Sequence, residues 1–209
     1  MPQPLTKFSI DDLAFERNNR FLFSNINCSL QAGELLQIRG ANGSGKSTLL
    51  RILAGYIEPQ TGKILWQGQS ITEQRDTYQQ QLHYVGHQNG VKPNLTVYEN
   101  LQLNCALIGI PAAPAHLYKI IERIGLINAT QTSQLSAGQT RRLALARLLL
   151  QPAPLWILDE PTTALDSQAQ EFLLTILNEH LKNNGIAIVA THQDLSLTAK
   201  IITLRGQNE

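Results

Sequence analysis

Residues 40–48 read Gly-Ala-Asn-Gly-Ser-Gly-Lys-Ser-Thr, with glycines at 40, 43 and 45 just ahead of a lysine and two hydroxyl side chains. The spacing is G-x-x-x-x-G-K-[ST], a phosphate-binding loop. Glycine lets successive backbone N–H groups converge on phosphate oxygens, Lys46 supplies a point charge for β and γ oxygens, and Ser47 offers a hydroxyl to Mg²⁺. Gly40, Ala41, Asn42, Gly43, Ser44, Gly45, Lys46, Ser47 and Thr48 are therefore the candidate cradle. That chemistry requires a strand before the loop and a helix after it. Both are expected: "ELLQIRG" at 34–40 alternates as a buried strand, and "KSTLLRILAG" at 46–55 has helical spacing and closes on Gly55.

Further along, "LWILDEP" ends a hydrophobic run with two adjacent carboxylates, Asp159 and Glu160. Downstream of a phosphate loop, the first is suited to hold a metal and the second to orient and polarise an attacking water. Gln88 in "VGHQNG" follows an expected strand and can reach Mg²⁺ or the attacking water, His192 in "ATHQD" sits just past another and can hydrogen-bond a γ-phosphate, and Asp166 in "TTALD" lies a few residues beyond Glu160. A second anion-binding feature lies in "QLSAGQTRRLALA" at 134–146, where Ser136 and Gly138 open a basic, Leu/Ala-rich helix. A helix start favours anions through its free N–H groups and dipole. Ser136 suits an N-cap, and Gly138 permits close backbone approach. His83 and His87, four apart on a strand ending in a loop, are read as packing and loop-orienting residues rather than ligands.

The elements that must position these residues alternate between short β-like runs and helical patterns, which predicts a mainly parallel sheet with helices packed on it. "KILWQG" at 63–68, "LHYVG" at 82–86, "PLWILDEP" and "GIAIVATHQ" are the further expected strands. Between about Gly90 and Gln134 the pattern turns helical, in "LTVYENLQLNCALIG" and "AHLYKIIERIG" separated by "IPAAP". The expected organisation is one domain over 1–209, with an α/β core from about 1–88 and 152–209 and an inserted helical lobe over 89–151. The 209 residues are 43% hydrophobic and 16% charged, with a net charge of +1. That is enough to bury one substantial core, and the balanced charge argues against a nucleic-acid partner. Cys28 and Cys105 form no CxxC, so neither a disulfide framework nor a zinc site is expected. The N-terminus does not read as a signal peptide, and the chain ends shortly after His192, so no further C-terminal domain is expected. The longest apolar stretch is interrupted by Arg147, Gln151, Pro152 and Pro154, so membrane contact is expected only through partners.

The order phosphate loop, glutamine loop, "LSAGQ", "LDEP", "ALD" and "ATH" resembles the ATP-binding subunits of ABC transporters over nearly the whole chain. The resemblance implies an α/β P-loop NTPase of ABC type, with an N-terminal antiparallel β layer beside the mainly parallel core. It makes Gly40 to Thr48 the Walker A loop, Gln88 the Q-loop residue, Leu135 to Gln139 the signature and Leu155 to Asp159 Walker B. Glu160 becomes the catalytic glutamate, Ala164 to Asp166 the D-loop and His192 the switch histidine. Ser47, Gln88 and Asp159 would hold Mg²⁺. Ser136, Gly138, Gln139 and Asp166 would face ATP held by the Walker A loop of a second copy, in a homodimer sandwiching two nucleotides. Adenine would stack on Phe15, with Phe21 as the alternative. Gly86-His87-Gln88, Lys92-Pro93, Leu95-Thr96, the Arg141-Arg142 pair and Trp156 make the chain most similar to the branch serving bacterial cytochrome c maturation, the Ccm-type haem exporters. Thr162 stands where that branch is expected to carry an aromatic, and Ala137 replaces the commoner glycine. The resemblance implies an ATPase working with integral inner-membrane permease subunits, peripheral on the cytoplasmic face. The ATPase of another small exporter, or a non-transport ABC protein acting on soluble partners, are the alternatives.

Overall fold

The computed structural model describes residues 7–17, 19–127, 131–163 and 165–204. Strands β1 (Lys7–Arg17), β2 (Arg20–Gln31) and β3 (Leu35–Gly40) lead into helix α1 (Lys46–Leu53), followed by β4 (Thr61–Trp66), β5 (Gln69–Ser70), the short α2 (Arg75–Gln79) and β6 (Leu82–Val85). Three helices come next, α3 (Val97–Ile108), α4 (Pro114–Arg123) and α5 (Ala137–Ala146). The chain then runs through β7 (Leu155–Asp159), α6 (Ser167–Lys182), β8 (Ile186–Ala190) and β9 (Lys200–Leu204).

Two sheets result. One is antiparallel, in the order β2-β1-β4-β5, and the other is parallel, in the order β6-β7-β8-β3-β9. Every residue of β7 and β8 is buried, which accounts for their unbroken apolar runs: a parallel strand covered on both faces has no reason to alternate. This is the expected fold class, a mainly parallel core with an antiparallel layer. Strand order also positions the chemistry. β8 lies between β7 and β3, with Asp159 opposite Ala190 and Ala190 opposite Ile38. The chain segments leaving β3, β7 and β8 therefore emerge side by side at the carboxyl edge, where open parallel sheets bind ligands.

The chain divides into two compact units. The first takes Met1–Gly86, Ala153–Pro161 and Leu177–Glu209. Its core is layered: Phe8, Ile10 and Leu13 from the antiparallel sheet, Leu49, Leu50 and Leu53 from α1, and Ile38, Ile157 and Ile188 from the parallel sheet all belong to one buried cluster. Burying apolar surface contributes about 25 cal/mol per Å², so this shared cluster is a main favourable contribution to packing α1 with the sheets. The second unit takes His87–Pro152 and Thr162–Ile176. Its core joins Val97, Leu101 and Cys105 of α3 to Leu117 and Ile120 of α4 and Leu143 of α5, with Phe172 packed against them.

Local signals fix the helix ends in this unit. Thr96 and Glu99 form a reciprocal capping box at the start of α3, and Gly109 ends that helix at φ 73°. Pro114, the last residue of "IPAAP", is the first residue of α4, where its missing N–H costs nothing. Among the described residues no helix is long and apolar enough to cross a membrane.

Candidate active site

The phosphate loop is shaped by residues that a side chain would ruin. At Gly40 (φ 153°) an added Cβ would lie 2.6 Å from both the Leu204 carbonyl and Ser44 Oγ, and Gly45 opens α1 at φ 97°. No side chain caps α1 and its first turn holds no acid, so its leading amides face the loop ready for an anion. Ser44 Oγ is buried in the loop with no hydrogen-bond partner among the described residues, a cost removed when an oxygen ligand arrives. Ala41, Asn42 and Gly43 are exposed, whereas Ser47 and Thr48 are half-buried on the first turn of α1.

Lys46 is buried, 7% exposed, and its ammonium is surrounded by acceptors. Its Nζ donates to the carbonyls of Gly40 (2.9 Å) and Ala41 (3.2 Å), and lies 3.1 Å from His192 Nε2 and 3.5 Å from Glu160 Oε1. Glu160 follows β7 in the left-handed region at φ 46°, a conformation that costs about 1 kcal/mol for a residue with a Cβ. Its amide donates to the Ala190 carbonyl at 2.9 Å, extending the β7–β8 ladder by one residue. His192 follows Thr191, whose amide bonds the Ile38 carbonyl on β3. Its Nε2 meets one donor, Lys46 Nζ, and two acceptors, Glu160 Oε1 at 3.0 Å and Asn42 Oδ1 at 2.9 Å. A single ring nitrogen cannot satisfy all three: protonated, it donates to the oxygens, and unprotonated, it accepts from the lysine. One proton therefore decides how the cluster is wired.

Asp159, 1% exposed at the end of β7, is the most deeply placed of the candidate metal ligands. Tyr84 on neighbouring β6 senses it: burial first, then the Asp159 charge, push the phenol up, against a hydrogen bond from Arg51 of α1. The hydroxyl of Ser47 and the carboxylate of Asp159 are hard oxygen donors of the kind Mg²⁺ prefers, and the loop glycines leave backbone free to approach phosphate, so the residues present fit a Mg²⁺-nucleotide. Phe15 is half-buried and stacks on Phe23 (centroids 6.2 Å, 25° between planes), so one face of its ring is used, while Phe21 is 62% exposed.

The second unit carries the other candidate residues. Ser136 is the N-cap of α5. Its Oγ accepts from the Gln139 amide at 3.2 Å and its amide donates to Gln139 Oε1 at 2.9 Å, a complete capping box that leaves the hydroxyl proton to donate elsewhere. Gly138 is buried against Asp166: a Cβ there would lie 2.4 Å from Asp166 Oδ2. Asp166 Oδ1 in turn accepts from the Ala169 amide at 2.7 Å, capping the first turn of α6. Gln88 and Ala137 are exposed, and Thr162 is buried. Ala164 lies outside the described residues. His83 is half-buried on β6, opposite Trp156 of β7, and His87 is exposed.

Sequence reasoning missed the carboxamide of Asn42 as a partner for His192 and the Tyr84–Arg51 pair beneath Asp159. Both depend on strand order, which no local spacing reports.

The ABC transporter family matches residues 23–163. The chain is 42% identical over 191 residues to the cytochrome c biogenesis ATP-binding export protein CcmA of Haemophilus influenzae, covering 90% of each. It is 44% identical over 188 residues to the protein of the same name from Vibrio cholerae, covering 89% of this chain and 91% of that one. Among solved structures, a putative ABC transporter ATP-binding protein from Pyrococcus furiosus superimposes with a TM-score of 0.83 at 26% identity, over 95% of this chain and 97% of the other. With its phosphate loop, carboxylate pair and histidine converging at one sheet edge inside that shared fold, the chain belongs to the ABC transporter family and is one of its ATP-binding ATPases.

Proposed function

We propose that this chain is the ATP-hydrolysing subunit of a bacterial inner-membrane exporter serving cytochrome c-type biogenesis, with a haem-handling membrane partner as its load. The observation that carries the catalytic part is the meeting of Lys46, Glu160 and His192 within 3.5 Å at the mouth of the phosphate loop. The relatives named for cytochrome c biogenesis and export supply the physiological part. The chain works peripherally, on the cytoplasmic face, through permease subunits.

In the proposed cycle the β and γ phosphates of ATP replace the Gly40 and Ala41 carbonyls and Glu160 as acceptors for Lys46. Turning the lysine toward phosphate releases the Glu160 carboxylate, which accepts a proton from the attacking water as its oxygen bonds the γ-phosphorus and the bond to the β-bridging oxygen breaks. His192, relieved of Lys46, holds a γ-phosphate oxygen. Ser47, Asp159 and Gln88 are the residues to hold Mg²⁺, which when bound neutralises charge developing on the phosphate oxygens. Phe15 stacks on adenine with the ring face that Phe23 leaves, beside the more open Phe21. Ser136 and Gln139 at the start of α5, with Gly138 and Asp166 behind them, close over ATP held by a second copy, so each site is completed by dimerisation.

The test is purification from a bacterial membrane in mild detergent, with ATP turnover assayed on the isolated complex. Co-purification of an integral inner-membrane protein, and turnover lost with Lys46→Ala, are the expected results. Recovery only with ribosomes or DNA would overturn the transport reading.

A further inference from the structure

Arg141 lies one turn into α5 and is 4% exposed, although nothing about the helix requires a cation there. The capping box of Ser136 and Gln139 already starts α5. A guanidinium is costly to bury unless its hydrogen bonds are met, so such a residue earns its place through what it holds. Arg141 Nη1 donates to Asn89 Oδ1 at 2.9 Å, and Asn89 is the residue directly after Gln88.

The same two stretches of chain are joined at three more points. Asn100, 3% exposed, accepts from the Lys92 amide at 2.8 Å and donates to the Lys92 carbonyl at 3.0 Å, while its Nδ2 also reaches Thr132 Oγ1 at 3.0 Å. The Thr132 amide donates to the Leu95 carbonyl at 3.4 Å, and Thr96 pairs with Gln131 as an isolated antiparallel bridge. Residues 89–96 are thus fastened to the second stretch on both sides of the turn that carries Ser136: Asn89 to Arg141 after it, and residues 92–96 to Gln131 and Thr132 before it, the Lys92 link running through Asn100.

We propose that Arg141 and Asn89 are positioning residues that make the Gln88 loop and the Ser136–Gln139 turn one mechanical piece. A displacement of either then reaches the other through these hydrogen bonds rather than through the nucleotide. The roles given to Gln88 and Ser136 rest on the function proposed above; the fastening itself does not.

The test compares wild type, Asn89→Leu, which removes the acceptor, and Asn89→Asp, which keeps an acceptor and strengthens it with charge. Amide hydrogen exchange is followed without nucleotide, and kcat and KM for ATP are measured in parallel. In Asn89→Leu, segments 90–96 and 132–139 lose protection together, and kcat falls about tenfold with KM changed less than about twofold, because the Lys46 cradle is untouched. Asn89→Asp keeps both segments protected and restores turnover. Loosening confined to 90–96, or a kcat for Asn89→Leu within about twofold of wild type, overturns the proposal. A Lys46→Ala chain that hydrolyses ATP like wild type would instead overturn the proposed function, and the paired loosening would still judge the fastening.

Discussion

Nε2 of His192 lies 3.0 Å from Oε1 of Glu160, each residue sitting just beyond the carboxyl end of one of two adjacent parallel strands. Lys46 reaches the same two atoms from the helix that follows the neighbouring strand, so three strand ends deliver a cation, a carboxylate and an imidazole to one point. In the proposed cycle a triphosphate draws the lysine away from the loop carbonyls and from Glu160, which frees that carboxylate to serve as base.

Lys46→Ala removes the one ammonium in that cluster. A charge-assisted hydrogen bond of this kind contributes on the order of 1.5–3 kcal/mol, so ATP affinity should fall about tenfold to a hundredfold. Isothermal titration with ATP and Mg²⁺ checks this, and an unchanged dissociation constant would remove Lys46 from the binding site.

Gly138 and Asp166 give a prediction about packing. Gly138→Ala forces its new methyl into the Asp166 carboxylate, 2.4 Å away, and overpacking of this kind costs about 1–3 kcal/mol, in part by dislodging the cap of α6. Asp166→Ala alone loses only the cap. The double variant should therefore be about as stable as Asp166→Ala, well short of the sum of the two single effects. Urea unfolding of the four proteins measures it, and strict additivity would show that the two residues do not meet.

His180 sets a pH dependence outside the site. Its ring lies flat on Trp156 at 3.9 Å, its Nε2 bonds the Ile186 carbonyl at 3.0 Å, and Gly185 leaves room where a Cβ would sit 2.2 Å from the ring. Burial, outweighing the carbonyl bond and helped by the nearby His83, lowers its pKa from 6.5 to about 4. Because the folded value lies below the unfolded one, protonation favours the unfolded chain. The stability that neutral His180 contributes is full above about pH 6.5 and is lost as pH falls through about 4, amounting to at most about 3 kcal/mol. Urea midpoints at pH 7, 6, 5 and 4 should fall less steeply in His180→Phe than in wild type. Equal slopes would contradict the assignment.

Much of this arrangement could be read in the chain because its signals are local. The glycine spacing at 40–45 dictates a loop whatever surrounds it, Ser136 with Gln139 dictates a helix start, and the unbroken apolar runs of β7 and β8 announce strands covered on both faces. The change of pattern after Gly90 likewise marks the helices of the second unit, although residues 162–176 join that unit through packing such as that of Phe172, which no change of composition announces. What stayed hidden is non-local. The Asn42–His192 contact depends on β3 and β8 lying side by side, and the Arg141–Asn89 bond joins helix α5 to a loop residue 52 positions away in the chain. Asp166 was legible as a polar residue near the site, but its hold on α6 and its pressure on Gly138 exist only once α5 and α6 meet. Phe15 fits an aromatic pattern equally well as a stacking ring and as a core ring, and the fold uses one of its faces against Phe23.

The most direct measurement is the mass of Glu160→Gln in solution with and without ATP and Mg²⁺, together with its turnover. Gln keeps the shape of the side chain but cannot take the water's proton, which should lower kcat by about 10²–10⁴ while leaving nucleotide binding intact. Light scattering should then show a monomer without nucleotide and a stable dimer with ATP, dispersed again when Ser136 is replaced by Arg. A chain that stays monomeric at saturating ATP and hydrolyses it at the wild-type rate would contradict both the role of Glu160 and the shared site.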